Sequence, residues 1–226
     1  MRKLTPLGTA AIPGSDKSLT LYRSKDDFHI NLSGGLELMS TRRHGSEDAL
    51  GYLPCRRLAD PHAARVLIGG LGMGFTLAAV LAEVGESAEV VVAELIPEVV
   101  EWNRGPLGDA SGRPLDDPRV RVEIADVATL MGAAGAAYDV IALDVDNGPE
   151  DFTSGGNTRL YTDAGIAAAR KALRPGGVLA YWSSDPDERF KARLAATGMK
   201  VEEHRVYAFG SKGTQNLIWV AREPGK

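Results

Sequence analysis

The chain carries a single cysteine, Cys55, in 226 residues. One thiol closes no intrachain disulfide and supplies too few soft ligands for a structural zinc site, so Cys55 is expected to be a small packed residue and a reducing, cytoplasmic setting is the simplest. Histidine is also scarce, and His29, His62 and His204 are not spaced as ligands of one ion. No metal is expected. No apolar run approaches the roughly 18 residues of a membrane span. The basic start MRKLTPLGTAAIPGS is broken by Pro6, Gly8, Pro13 and Gly14 before a signal-peptide core forms, so no targeting or membrane segment is expected. Neither sign of charge dominates: the formal net charge is -4 with the signs interspersed, which argues against a phosphate-tracking surface and hence against nucleic acid as a partner. Arg42-Arg43 and Arg56-Arg57, with Glu47 and Asp48 between them, read as a solvated mixed-charge stretch.

What is present is an ordinary globular composition, 44% apolar and 25% charged, at a length that suits one α/β domain with a small extra element. Residues 1–60 hold the β-like runs LTLYRS and FHINLSG and then a mixed segment, which reads as an N-terminal β-hairpin element and a lead-in helix. In residues 61–226 the character changes. RVLIGG, EVVVAEL, RVRVEIAD, YDVIALDVD and GGVLAYWSS are short aliphatic runs without strict alternation, as in strands buried on both faces of a parallel sheet. Helical segments separate them, with Pro97 at a first helical position and Arg174-Pro175-Gly176-Gly177 as a stop signal. The end, KVEEHRVYAFG then SKGTQNLIWVARE, reads as an antiparallel pair. The sum is a Rossmann-like, doubly wound, seven-stranded sheet with a small N-terminal β element, and such sheets bind ligands outside the carboxyl ends of their strands.

The strand ends therefore hold the candidate site. GGLGMGFT places Gly70, Gly72 and Gly74 in a G-x-G-x-G turn feeding a helix, where backbone can approach a polar ligand closely. Glu94 ends the second strand 20 residues beyond Gly74, a place from which a carboxylate accepts from both ribose hydroxyls of a nucleoside. Asp126, with Val127 after it, ends the third strand, where the choice lies between an adenine contact and a helix N-cap. The fourth strand opens into ALDVDNGPEDF. Alternation puts Asp144 and Asp146 on one side, and a buried pair of that kind has one raised pKa, the usual condition for a general base. His44 is a further candidate base or substrate contact, and Glu47 a candidate substrate contact.

With these runs together, the chain resembles the spermidine synthase-like branch of the S-adenosylmethionine-dependent class I methyltransferase fold. The resemblance runs from about Leu32 to Glu223 and rests on VLIGGLGMG, VVAELIPEVVEWNR, DDPRVRVEIAD, YDVIALDVD and ARKALRPGGVLAYWSS. It implies that Gly70, Gly72 and Gly74 meet the methionine-like tail, that Glu94 holds the ribose, and that Asp126 and Val127 hold the adenine of S-adenosylmethionine or its decarboxylated form. It places Asp144 on the family's catalytic aspartate, Asp146 and Asn147 near the acid that binds the polyamine, and Tyr161 in the region of an aromatic wall. Two departures are visible. Gly72 stands where polyamine synthases carry an aspartate for the aminopropyl end, and Ser46, Glu47 and Asp48 stand in place of a tyrosine-histidine-glutamate signature, with Glu37 for a glutamine.

The expectation drawn from the plain glycine turn is a methyltransferase or related enzyme acting on a small amine-bearing molecule, with in-line attack on the sulfonium and an aspartate as base. An aminopropyltransferase using the decarboxylated nucleoside is the alternative. A catalytically silent nucleoside- or protein-binding member is the third. By resemblance, the N-terminal β element is the expected surface of a homodimer.

Overall fold

In a computed structural model, residues 4–144 and 157–223 are described. The N-terminal β element, expected as a hairpin or two, is a four-stranded sheet. Strands β1 (Thr5–Ala11), β2 (Ser18–Ser24), β3 (Asp27–Leu32) and β4 (Glu37–Ser40) form one antiparallel sheet in chain order. Its pattern explains it: Leu19 and Leu21 on β2 and Phe28, Ile30 and Leu32 on β3 are buried, with polar residues between them, so one face of the sheet covers the core.

Helix α1 (Gly45–Cys55) follows and packs on the large sheet and on α2 (Phe75–Glu83). At Gly51 a Cβ would lie 2.6 Å from Ala79 Cβ and 2.7 Å from the Thr76 carbonyl oxygen. The two helices therefore cross at backbone distance, and this crossing brings the first turn of α1 over the first turn of α2.

The large sheet contains β5 (Arg65–Gly69), β6 (Glu89–Glu94), β7 (Val120–Ile124), β8 (Tyr138–Leu143), β9 (Leu173–Ser183), β10 (Lys200–Tyr207) and β11 (Gln215–Arg222). Their spatial order is β10-β11-β9-β8-β5-β6-β7. The pairs from β7 through β9 are parallel, and β11 and β10 close one edge antiparallel, as the sequence pattern predicts. Val66, Leu67, Ile68 and all of Val140 to Leu143 are fully buried, because helices cover both faces. The core under α1, α2 and α3 (Pro97–Arg104) contains Leu50, Leu77 and Val99. The core under α4 (Val127–Ala133), α5 (Asp163–Ala172) and α6 (Glu188–Ala196) contains Met131, Ile166 and Phe190.

The helix starts follow local chemistry. Pro97 opens α3, Thr162 caps α5 by accepting from the Gly165 amide at 3.2 Å, and Asp187 caps α6 by accepting from the Phe190 amide at 2.8 Å. One boundary differs from expectation. The Arg174-Pro175-Gly176-Gly177 stretch is not a turn before β9 but an irregularity inside it, since Tyr138 pairs with Leu173 and Val140 with Val178. Arg174 reaches back to the Asp139 carboxylate at 2.7 Å and so holds the bulge against β8.

The chain runs outward from β5 through β6 to β7 and then crosses back to β8, so the sheet has its switch point between β5 and β8. The crevice there faces the glycine turn after β5 on one side and the end of β8 on the other. Among the described residues no helix is long and apolar enough to cross a membrane.

Candidate active site

The cleft lies at that switch point, floored by strand ends and roofed by the N-terminal sheet through Leu19, Ile30, Leu38 and Met39. After β5, Gly70, Gly72 and Gly74 all adopt positive φ, at 90°, 52° and 85°, the left-handed region that glycine enters without a steric cost. Gly70 and Gly72 line the cleft. Gly74 instead caps α2 from behind, where a Cβ would lie 2.9 Å from Asn103 Oδ1 and 3.0 Å from Ser111 Oγ. Asn103 Nδ2 donates to the Gly72 carbonyl at 2.9 Å and so clamps the turn from α3. Above Gly72, a Cβ would meet Met39 Sδ at 3.3 Å. The place of the family's aminopropyl-binding aspartate is thus a bare glycine under a thioether.

Glu94 ends β6 on the cleft floor, 8% exposed. The Leu71 amide donates to its Oε2 and the Ile96 amide to its Oε1, each at 2.9 Å. Burial raises its carboxyl above the usual range, and these amides oppose the shift. The carboxylate is held rigidly with acceptor capacity to spare, since an ionised carboxyl offers about four lone-pair sites.

Asp126 and Val127 line the next stretch of the cleft. Asp126 caps α4, its Oδ1 accepting from the Ala128 amide at 2.8 Å, while its Oδ2 pairs with Arg159. The N-cap alternative is therefore present as geometry, and an adenine amino group would share Oδ2 with a guanidinium.

Asp144 follows β8 directly. Thr76, two residues into α2, donates from Oγ1 to Asp144 Oδ2 at 2.8 Å, and the same hydroxyl lies 3.2 Å from the Glu47 carbonyl. Burial pushes Asp144 up to about 6, with the negative charge of Glu94 adding to the shift and the Thr76 bond opposing it. Glu47, on the first turn of α1, also lines the cleft. Burial, and then the charge of Asp144, push it up to about 7. The two carboxyls titrate as a pair, and near neutral pH one proton between them is the favoured state. Ser46, fully buried, donates to Glu47 Oε2 at 2.6 Å, and Asn216 Nδ2 donates to Ser46 Oγ at 2.8 Å. Glu94, Asp144 and Glu47 together give the cleft a negative field that favours cations.

The remaining predicted residues divide. Asp146 and Asn147 lie outside the described residues. His44 does not line the cleft. It precedes α1, stacks on Phe75 at 3.9 Å and bonds Asp48 through Nδ1 at 2.8 Å, a contact that raises its pKa above the usual value. Tyr161 is not a wall of the cleft: it is 1% exposed and packs its ring edge-on against Phe190 in the core below α5 and α6. The short 3-10 turn Asn157–Tyr161 directs it inward. Cys55 is buried and its thiol is pushed up to about 12, as a packed residue should be. Among the described residues no cluster of His, Cys, Asp or Glu is arranged to hold a metal.

Sequence reasoning missed Thr76, Ser46, Asn216, Trp182 and Asn157. Thr76 follows Gly74 by two positions and was findable as a polar residue opening an apolar helix. Asn216 is brought to Ser46 only by tertiary folding. Trp182 lines the same cleft as Asp144: Leu143 pairs with Tyr181 at the end of β8, and Asp144 and Trp182 are the residues that follow them.

Strand order, switch-point cleft and glycine turn define a Rossmann-like α/β protein whose floor carries one acid for each of three strand ends. Residues 50–192 match the model of the Spermine/spermidine synthase domain family, and the chain belongs to that family. A polyamine aminopropyltransferase of Mycobacterium tuberculosis is 31% identical over 208 residues, which cover 87% of this chain and 38% of that protein. One from Nitrosomonas europaea is 32% identical over 148 residues, covering 65% of this chain and 43% of that protein. The chain thus spans less than half the length of these curated relatives. Among solved structures, spermidine synthase from Thermotoga maritima superposes with a TM-score of 0.76 at 21% identity, over 100% of this chain and 75% of that one, and so shares the fold.

Proposed function

We propose that the chain is a transferase of the aminopropyltransferase type, which binds decarboxylated S-adenosylmethionine and passes its aminopropyl group to a small amine. The observation that carries this reading is the pair of acids lining one stretch of the cleft, Glu47 from the first turn of α1 and Asp144 after β8, joined through Thr76, in a family whose named relatives are polyamine aminopropyltransferases. The sequence alone ranked methyl transfer first; the relatives reverse that order.

The cleft fits a nucleoside on its own geometry. Glu94 is buried, held by two amides and open on the ligand side, and the side-chain-free turn at Gly70 and Gly72 leaves room for a tail. In this reading Glu94 accepts from the ribose hydroxyls, Val127 and Asp126 border the adenine, and Gly70 and Gly72 border the tail, with Gly74 setting the turn. When bound, the nucleoside supplies a carbon made electrophilic by its sulfonium. The protein's own work is alignment and proton handling. An amine arrives at neutral pH as an ammonium and is drawn by the carboxylates. Asp144, ionised and beside Thr76, accepts its proton, while Glu47 holds the cation. The apolar roof of Leu19, Ile30, Leu38 and Met39 excludes water.

Methyl transfer from S-adenosylmethionine itself is the second reading, favoured by the bare Gly72, which offers no acid to a charged aminopropyl end. Isothermal titration with both nucleosides separates the two. Tighter binding of the decarboxylated form supports aminopropyl transfer, tighter binding of S-adenosylmethionine supports methyl transfer, and binding of neither at millimolar concentration leaves a catalytically silent protein.

A further inference from the structure

Glu47 stands where the family resemblance would put a histidine, and its surroundings are built for a carboxylate. Ser46 is fully buried and Asn216 is 8% exposed. They come from opposite ends of the sequence, 170 positions apart, and meet because α1 packs on β11. The direction of their hydrogen bonds follows from chemistry. An ionised carboxyl can only accept, so Ser46 must spend its one hydrogen on Glu47 Oε2; the Ser46 oxygen is then left as an acceptor, and Asn216 must present its N–H to it. Opposite, Thr76 spends its hydrogen on Asp144 Oδ2. Two of the four carboxyl oxygens are thereby occupied by donors from the protein interior. No hydrogen bond from a described residue reaches the other two, Glu47 Oε1 and Asp144 Oδ1.

We propose that Asn216 and Ser46 are positioning residues that fix the direction of the hydrogen bond to Glu47, leaving Glu47 Oε1 and Asp144 Oδ1 as the oxygens that meet an incoming ammonium. The ammonium is supplied by the transferase reading; the hydrogen-bond chain does not depend on it. In the proton step an N–H bond of the ammonium breaks, an O–H bond forms on Asp144 Oδ1, and the nitrogen keeps the electron pair with which it attacks. The proton that the pair carries in the empty cleft is displaced to solvent by the arriving ammonium, and the ionised Glu47 Oε1 then accepts a second N–H of it, so neither oxygen competes with Ser46 or Thr76. The groups facing Glu47 are few. His44 and Asp48 lie on its own helix or at its cap, Thr76 is on α2, Asp144 follows β8 with Glu94 beyond it, and β9 and β11 present Trp182 and Asn216, which do not titrate. β10 meets this end of α1 through the Tyr207 and Ala208 carbonyls at Gly45.

The test reads protons directly, in the ligand-free protein, by infrared difference spectroscopy of the protonated-carboxyl band as pH is raised. Glu47→Gln should remove a band present near pH 6. Losing the Ser46 donor disfavours the ionised form, so Ser46→Ala should move the midpoint of that band up by about one pH unit. Asn216→Leu, which frees the Ser46 hydroxyl to turn away, should move it in the same direction by less. Asn216→Asp should move it further than Asn216→Leu, since an acceptor there pulls the Ser46 hydrogen off Glu47. The double variant Ser46→Ala/Asn216→Leu should match Ser46→Ala alone. An unmoved midpoint in Ser46→Ala overturns the proposal, as do equal shifts in the two Asn216 variants or additive effects in the double variant. Should Asn216→Asp not fold, the double variant still decides. Failure of nucleosides or amines to bind, with these titrations as expected, sinks the transferase reading and leaves the chain of hydrogen bonds standing.

Discussion

The two ends of the cleft are made of different material. At the end proposed for the nucleoside, the groups that face the cleft are backbone and two strand-end acids: the Gly70–Gly72 turn, Glu94 held by the Leu71 and Ile96 amides, and Asp126 at the cap of α4. At the acceptor end, everything is side chain: Glu47 from α1, Thr76 from α2, Asp144 from β8, and Asn216 from β11. The first end comes with the fold, since any doubly wound sheet that turns tightly out of β5 makes a comparable cradle. The second is a choice made residue by residue, and it holds one of the two departures from the polyamine-synthase signature, the other being Gly72 in the glycine turn.

Four experiments sharpen or break that division. The largest effect is expected at the acceptor end: Asp144→Asn should lower turnover by at least about a hundredfold, as for loss of a general base, while nucleoside affinity measured by calorimetry stays nearly intact. A parallel loss of affinity would mean the ends are not separable. Next, Glu94→Ala should weaken nucleoside binding by about 1 to 3 kcal/mol, the range for leaving buried partners unpaired. Unchanged affinity would take Glu94 out of the site.

The third concerns stability against pH. Glu47 and Asp144 hold protons more tightly in the folded chain than at their ordinary values of 4.5 and 3.8, so folding takes up protons. Their contribution is most favourable in acid and declines as pH rises from about 4 through about 7, by roughly 3 kcal/mol for each group. Denaturant unfolding across that range should show the decline, and Glu47→Gln should flatten most of it. A slope the same in both proteins would mean that the carboxyls do not share a proton.

The smallest effect is a gain. At Gly72, φ is 52° and the nearest obstacle is the flexible Met39 side chain, a backbone position aspartate tolerates. Gly72→Asp should tighten binding of the decarboxylated nucleoside by about 1 kcal/mol, a charge-assisted hydrogen bond of about 1.5 to 3 kcal/mol less the strain of a side chain at positive φ, with no gain for S-adenosylmethionine. An equal gain for both would show that the tail does not pass Gly72.

The same division decided what the sequence made legible. β5 to β9 and the terminal pair were readable because burial on both faces leaves unbroken aliphatic runs, and Glu94 and Asp144 because strand ends in such a sheet point into the crevice. The four-stranded N-terminal sheet was only half visible, since β2 and β3 alternate clearly whereas β1 contains Pro6 and Gly8 and is mostly exposed, and β4 is only four residues long. Glu47 was visible as a candidate substrate contact but not as the partner of Asp144; DVDNGP suggested Asp146 for that place, while α1 crosses α2 at Gly51 and delivers a carboxyl from nearly a hundred positions upstream. Tyr161 misled for the opposite reason. Its aromatic character suits a wall or a core equally, and the turn at 157–161 assigns it to the core.

Trp182 adds a practical property. Its indole N–H is buried with no hydrogen-bond partner among the described residues, and it lines the cleft with Asp144, whereas Trp219 is wholly inside the core and Trp102 faces β1. The chain thus carries its own optical probe: a change in tryptophan emission on adding a small molecule, abolished by Trp182→Phe, reports occupancy of the cleft without any label.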